Sequence, residues 1–270
     1  TLLTVHDLSF LRQPSSAAPG LSHYLDRVVS RSVSRATHVL ADSQSTKDDL
    51  MELYHTPEEK ITVLYAGVAP DFSPVADPAT IVEVRSRYGL GDGPYVLSVG
   101  TLQPRKNHAR LIAAFDRALR YSQYNLVLAG GDGWMYDDVR AQVTKRGLKQ
   151  RVLFPGFVAE EDLPSLYSAS SMMVFPSLYE GFGLPVLEAM ACGVPVIASN
   201  ASYLPEVAGD ASLMVDPRDV GAMATAIEEV VSQPDLREAL RVKGLERAEQ
   251  FRWENSAAEL LRIYRTIGER

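Results

Sequence analysis

Short apolar runs alternate with helix-period stretches along almost the whole of this 270-residue chain. Near-continuous apolar runs are typical of strands that are buried on both faces of a parallel sheet, with helices as the crossover connections. The alternation therefore predicts an α/β protein with doubly wound parallel sheets. The predicted strands span residues 2–5, 38–41, 61–65, 95–99, 125–129, 152–154, 172–175, 195–198 and 212–215.

A segment rich in proline and glycine, near residues 72–92, divides this pattern into two unequal parts. Six of the predicted strands follow the segment, which is enough for one complete doubly wound domain. Only three strands precede it, which is about half of such a domain. We therefore expect a partial amino-terminal domain over residues 1–74 and a complete carboxy-terminal domain over residues 75–253. An amphipathic helix is expected in residues 254–270.

Composition narrows the classes of function. The formal net charge of −7 argues against general nucleic-acid binding, and no apolar run is long enough to span a membrane. The single cysteine, Cys192, allows no internal disulfide, and it indicates a buried structural thiol in a reducing cytoplasm. No cluster of His, Cys and Asp has the spacing of metal ligands, so we expect chemistry that needs neither a metal nor another cofactor.

The most specific segment is a strand, a glycine-rich turn and a helix over residues 172–193, which read MMVFPSLYEGFGLPVLEAMACG. Turns of this kind point free N–H groups and the positive end of a helix at a phosphate or sugar oxygen. Glu180, at the loop mouth, could then accept hydrogen bonds from sugar hydroxyls. Glu188, about two turns into the helix, could reach a ribose. Taken alone, the pattern also fits a solvated acidic helix start.

Two adjacent cations, Arg105 and Lys106, follow the predicted strand 95–99. Ligands of open parallel sheets bind beyond the carboxyl ends of the strands. An arginine offers paired donors and a lysine offers a point charge, so together they could clamp a diphosphate. The same residues could instead form a solvated turn before a helix.

Together these segments resemble the retaining, nucleotide-sugar-dependent glycosyltransferases of GT-B architecture, known as family 4 or glycosyl transferases group 1. The resemblance rests on several motifs in the same order along nearly the whole chain, namely VHDLSFL, ADSQSTKDDL, EEKITVLYAGV, VLSVGTLQPRKN, LVLAGGDGW, RVLFPGFVAEEDLPSLYSAS, YEGFGLPVLEAMACGVPVIASN, LPEVAGDASLMVDPRD and FRWENSA. It implies Rossmann-like domains, with residues 254–270 crossing back onto residues 1–74. It also implies that roughly the first third of a usual family member is missing ahead of Thr1. We expect strand 2–5 to be an exposed edge, which could pair with such a segment or within a homodimer.

The resemblance implies transfer of a sugar from GDP-mannose or a UDP-sugar to a saccharide or lipid-linked acceptor, with retention and without a metal ion. A nucleotide-sugar-binding module with little transferase activity stays open, because the acceptor domain looks truncated. A nucleotide-sugar epimerase or a phosphorylase of the same architecture also stays open. A cytoplasmic location is expected, with at most peripheral contact at the inner membrane face. Arg27, Arg31 and Arg35 share one predicted helix face, which could meet anionic lipid or be solvated.

The resemblance also implies roles for individual residues. The catalytic candidates are His6, Arg105, Lys106 and Glu180. The donor-binding candidates are Gly100, Thr101, Gly131, Phe157, Val158, Gly181, Phe182, Gly183, Leu184 and Glu188. Thr101 stands where many relatives carry an arginine, so Arg105 is expected to make that contact with the leaving diphosphate.

Overall fold

The computed structural model describes residues 1–17 and 20–268 and confirms an α/β architecture with two parallel sheets. Its strands, within those residues, are β1 (Leu2–Val5), β2 (His38–Ala41), β3 (Ile61–Val63), β4 (Tyr95–Val99), β5 (Asn125–Ala129), β6 (Val152–Gly156), β7 (Met172–Phe175), β8 (Val196–Ser199) and β9 (Ser212–Val215). The third strand is shorter than the predicted 61–65. The Leu64 amide donates a hydrogen bond to the Ala41 carbonyl. The chain then turns, and Tyr65 packs among other aromatic rings.

The order of the strands determines which loops lie next to one another. The smaller sheet has the order β1-β2-β3, and the larger sheet has the order β6-β5-β4-β7-β8-β9. In the larger sheet, β5 and β6 are added on one side of β4, whereas β8 and β9 are added on the opposite side, next to β7. The order of the strands therefore reverses between β4 and β7, although the strands stay parallel. A crevice opens at such a switch point, beyond the carboxyl ends of the strands. The loops that follow β4 and β7 therefore lie side by side.

Helices cover both sheets. Their bounds are α1 (Ser9–Arg12), α2 (Leu21–Arg35), α3 (Gln44–Tyr54), α4 (Pro78–Arg87), α5 (His108–Leu119), α6 (Asp137–Arg146), α7 (Leu163–Ser168), α8 (Leu184–Ala191), α9 (Leu204–Ala208), α10 (Val220–Ser232), α11 (Pro234–Ala248) and α12 (Trp253–Gly268). Side-chain caps fix several starts, because Ser43, Asp77 and Asp219 accept hydrogen bonds from first-turn amides of α3, α4 and α10. None of the helices in the described residues has both the length and the apolar character that a membrane span needs.

The larger sheet is buried on both faces, as its apolar strands predict. Alternate residues of β4 belong to different hydrophobic clusters, with Leu97 on the side of α8 and Val96 on the side of α5 and α10. Full burial of such a side chain stabilises the fold by about 1.5–3 kcal/mol. This two-sided core makes the strand ends a rigid platform for the loops that follow them.

The segment that follows β3 is bonded to the residues around the start of α12. The Val68 amide donates to the Phe251 carbonyl (2.9 Å), and the Ser256 hydroxyl donates to the Tyr65 carbonyl (2.6 Å). A Cβ atom at Gly67 would lie 2.7 Å from the Cα of Trp253, where α12 begins. The segment after β3 is therefore fixed against the start of α12. The domain boundaries at 74 and 253 stay a prediction, and residues 269–270 of the predicted last segment lie outside the described residues.

Strand β1 lies at the edge of its sheet, as predicted. Leu2 and Leu3 are half-buried and Thr4 is exposed. A groove of about 450 Å³ runs beside this edge and reaches the loop after β4. What pairs with the edge stays a prediction.

Changing Gly67 to alanine is expected to lower the free energy of unfolding by about 2 kcal/mol, because the new methyl group would overlap the backbone of Trp253. Urea denaturation followed by circular dichroism measures the effect. Gly93→Ala is the matched control, since its methyl group would lie 3.5 Å from the Gln123 carbonyl oxygen, an ordinary contact. The control should change stability by less than about 0.5 kcal/mol. Equal effects of the two changes would contradict the close contact at Gly67.

Candidate functional site

The loops after β4 and β7 are tied together at the switch point. Asn107 adopts a left-handed conformation (φ 61°) at the start of α5. Its side-chain amide donates to the carbonyls of Pro176 (3.0 Å) and Pro217 (2.7 Å). The Leu178 amide donates to the Arg105 carbonyl (2.8 Å). These bonds hold the predicted cations against the predicted acidic loop.

Arg105, Lys106 and Glu180 form one buried ion cluster, a pairing that the sequence analysis did not predict. Lys106 Nζ lies 2.7 Å from Glu180 Oε1, and Arg105 Nη1 lies 2.7 Å from Glu180 Oε2. The exposed side-chain fractions are 16%, 11% and 9% for Arg105, Lys106 and Glu180. Two cations on one carboxylate leave this enclosed cluster with a net positive charge. It can therefore receive an anion.

Glu180 is ionised at neutral pH. Burial raises the pKa of its carboxyl, but the charges of Lys106 and Arg105 outweigh burial and hold the pKa below its usual value. His108, at the start of α5, is buried beside the cluster, and burial together with Lys106 lowers its pKa to about 3. His108 is therefore neutral and adds no positive charge.

The backbone around Glu180 is held by partners that lie far away along the chain. The Glu180 amide donates to Ser202 Oγ (2.9 Å), and Arg105 Nη1 donates to the Tyr179 carbonyl (2.6 Å). The Tyr179 hydroxyl donates to the buried carboxylate of Asp49 on α3. The sequence analysis gave no role to Ser202, which lies between two of the quoted motifs, or to Asp49, which lies within ADSQSTKDDL but far from the site in sequence. Tyr179 belongs to the recognised string and could have been considered from it.

The glycine-rich turn touches the amino-terminal part of the chain directly. A Cβ atom at Gly181 would overlap the His6 carbonyl oxygen and lie 2.8 Å from Asp7 Cβ. Phe182 is buried and stacks on Tyr203, with ring centres 5.2 Å apart and planes at 22°. Gly183 adopts a left-handed conformation (φ 100°) immediately before α8. The turn is therefore shaped by close backbone contact at one end and by aromatic packing at the other.

His6 lies at the carboxyl end of β1, beside this turn. Its side chain is exposed, and its Nδ1 atom lies 2.7 Å from Asp42 Oδ2. Burial raises the pKa of Asp42, and the contact with His6 partly offsets that rise. His6 and Arg105 line the same groove, the one beside β1. The structure thus brings the His6 backbone to Gly181, while the His6 ring faces Asp42.

The other donor-binding candidates lie around the same edge. The Gly100 amide donates to the Ala129 carbonyl (2.8 Å), and the Leu102 amide donates to the Gly131 carbonyl (3.0 Å). Thr101 is exposed between these bonds. Phe157 follows β6 and is 80% exposed, whereas Val158 is buried in the core.

Glu188 is the fifth residue of α8, so it lies little more than one turn into the helix rather than the expected two. The Tyr167 hydroxyl donates to its Oε2 atom (2.8 Å). Burial raises the pKa of Glu188. Residues 1–17 and 20–268 contain no group of three or more His, Cys, Asp or Glu side chains that could hold a metal ion. Metal-independent chemistry stays a prediction.

Known proteins are similar to this chain over most of its length. Residues 83–247 match the family described as glycosyl transferases group 1, and residues 1–72 match the family described as Glycosyltransferase Family 4. The O-antigen chain mannosyltransferase B of Escherichia coli is 36% identical over 267 residues, which is 98% of this chain and 70% of the relative. The serotype-specific mannosyltransferase WbdA of Escherichia coli is 31% identical over 83% of this chain and 28% of its own length. The O-antigen chain mannosyltransferase RfbU of Salmonella typhimurium is 30% identical over 86% of this chain and 61% of its own length.

Solved structures show the same fold. Sucrose-phosphate synthase of Thermosynechococcus elongatus superimposes with a TM-score of 0.84 at 30% identity, over 99% of this chain and 68% of that one. HepE of Anabaena, in complex with UDP and glucose, superimposes with a TM-score of 0.85 at 23% identity, over 98% of this chain and 71% of that one. The predicted GT-B-like fold is confirmed.

Changing Tyr179 to phenylalanine is expected to lower the free energy of unfolding by about 2 kcal/mol, because it removes a buried hydrogen bond to the Asp49 carboxylate. Urea denaturation measures this loss. Tyr121→Phe is the matched control, since Tyr121 is 97% exposed and its hydroxyl should contribute almost nothing. If the two variants were equally stable, the link between α3 and the acidic loop would not form in solution.

Proposed function

Because the chain belongs to the glycosyl transferases group 1 family, and is therefore a glycosyltransferase, we propose that it moves a mannosyl group from GDP-mannose to a saccharide or lipid-linked acceptor. The transfer proceeds with retention at the anomeric carbon. The partners are thus a nucleotide sugar and an acceptor.

One observation carries this proposal: Arg105 and Lys106 are held on Glu180 at the switch point, in front of the amino end of α8. The leaving group of a sugar nucleotide is a diphosphate, and its negative charge grows as the glycosidic bond breaks. Positioned cations stabilise such charge most strongly in an enclosed site. Arg105 and Lys106 supply this stabilisation without a metal ion, while the amides of Gly181 to Leu184 add N–H donors.

The remaining candidates position the reacting groups. Glu180 accepts hydrogen bonds from sugar hydroxyls, His6 faces the sugar from the amino-terminal side, and Glu188 holds the ribose. The anomeric carbon loses its bond to the diphosphate oxygen and gains a bond to the acceptor oxygen on the same face. The acceptor proton passes to an oxygen of the leaving diphosphate. The protein contributes orientation and charge stabilisation rather than a covalent intermediate.

The mannosyl donor is favoured by the O-antigen mannosyltransferases among the relatives. A UDP-sugar is the second candidate, because HepE, which has the same fold, binds UDP and UDP-glucose. The names of the relatives also support a place in polysaccharide synthesis. We propose that the enzyme acts in the cytoplasm, with peripheral contact at the inner membrane face.

Glu180→Ala and Lys106→Ala are each expected to lower turnover by at least about 100-fold, because each removes a preorganised contact with the sugar or the leaving diphosphate. Release of GDP or UDP from the matching sugar nucleotide measures turnover. Lys149→Ala, at an exposed position away from the cluster, should retain full activity. Near-normal turnover in either site variant would overturn the assignment.

A thermal-shift titration with UDP, GDP and their sugar conjugates tests the donor. A ligand that binds only the folded chain raises the melting temperature according to its affinity. We expect GDP and GDP-mannose to give the larger shift. A larger shift with UDP would transfer the proposal to a UDP-sugar, and binding without turnover would identify a nucleotide-sugar-binding module instead.

A further inference from the structure

The two carboxylates of the site are stabilised in different ways. Glu180 has two cations within hydrogen-bond distance. Glu188 has no cation partner among the described residues, and the Tyr167 hydroxyl is the only side-chain donor that reaches it there. A largely buried carboxylate needs a hydrogen bond to stay ionised and oriented.

Tyr167 is fully buried on α7, and its ring contacts the segment that joins the two parts of the chain. Phe72 meets the ring edge-on, with ring centres 6.1 Å apart and planes at 60°. The next residue, Ser168, accepts a hydrogen bond from the Val75 amide (3.0 Å). The Tyr167 hydroxyl therefore has little freedom to point anywhere other than at Glu188.

We propose that Tyr167 is a positioning residue, which aims the Glu188 carboxylate at the ribose hydroxyls of the nucleotide; this inference rests on the proposed function. Tyr167 itself does not touch the nucleotide. Its hydroxyl donates to Oε2 and leaves the other oxygen, Oε1, to accept from the ribose. A ribose offers neighbouring hydroxyl donors, so an ionised, acceptor-only carboxylate is the suitable partner.

The contact also controls the pH range of binding. Burial raises the pKa of Glu188, the nearby carboxylate of Glu160 raises it further, and the bond from Tyr167 lowers it. The thiol of Cys192, immediately after α8, is also close, and burial raises its pKa to about 12, so it stays neutral. Loss of the Tyr167 hydroxyl would therefore raise the pKa of Glu188. Binding that needs the ionised form is retained above this pKa and lost as the pH falls through it.

The test uses the full chain and the change Tyr167→Phe, with calorimetric titration of GDP and UDP at about pH 6 and about pH 8. At the lower pH we expect Tyr167→Phe to bind the nucleotide about 5- to 10-fold more weakly than the unchanged chain does. This is the loss expected for one hydrogen bond to a charged group. The deficit should narrow at the higher pH, where Glu188 is ionised in both proteins. A purely structural defect would weaken binding equally at both values.

Tyr95→Phe is the matched control, because Tyr95 is as deeply buried and its hydroxyl donates to the Leu166 carbonyl (2.6 Å), away from Glu188. It should bind nucleotide as the unchanged chain does. In the Glu188→Gln background, Tyr167→Phe should cause no further loss, since its effect passes through Glu188.

The outcomes separate the two proposals. If the unchanged chain binds neither GDP nor UDP, the proposed function fails, and the role of Tyr167 fails with it. If the unchanged chain binds one of the two nucleotides, and Tyr167→Phe binds it as tightly as the unchanged chain does at both pH values, only the positioning role is overturned. Equal losses in Tyr167→Phe and Tyr95→Phe, or full additivity with Glu188→Gln, would also overturn it.

Discussion

A buried carboxylate between two cations is the interaction on which the rest of the site depends. An unpaired charge at the depth of Glu180 would cost several kcal/mol, so the two cations stabilise the acidic loop in this position. Arg105 and Lys106 come from the loop after β4, whereas Glu180 comes from the loop after β7. Because β4 pairs directly with β7 at the switch point, the two loops lie side by side. The fold therefore positions the ion cluster.

Much of the fold was predictable from the sequence, because the apolar period of buried parallel strands is a local signal. The predictions of where β3 ends and of how far Glu188 lies into α8 were less accurate. The chain leaves β3 where Tyr65 packs on aromatic rings that lie far away in sequence, which no local pattern encodes. The cations and Glu180 were found because they follow strands. The bonds from Tyr179 to Asp49 and from Tyr167 to Glu188 were not, because each joins residues far apart in sequence through side-chain packing that no local pattern encodes.

The electrostatics divide the site into two regions with different properties. Around Glu180, opposite charges fix the ionisation state, and the pKa lies below the usual value. Around Glu188, burial and a neutral hydroxyl act against each other, and the pKa lies above the usual value. The ionisation of Glu180 is thus insensitive to modest changes in pH. The ionisation of Glu188 depends on both pH and packing, because one hydrogen bond from Tyr167 opposes the effect of burial.

The contact between Gly181 and the His6 backbone has a consequence for how such chains can diverge. The two positions lie in opposite parts of the chain, yet there is no space between them for even a methyl group. A sequence change that shifts either backbone must be matched by a change in the other. Hybrid proteins that join the amino-terminal part of one relative to the carboxy-terminal part of another would therefore assemble this edge only when both parents share the same backbone path at this point.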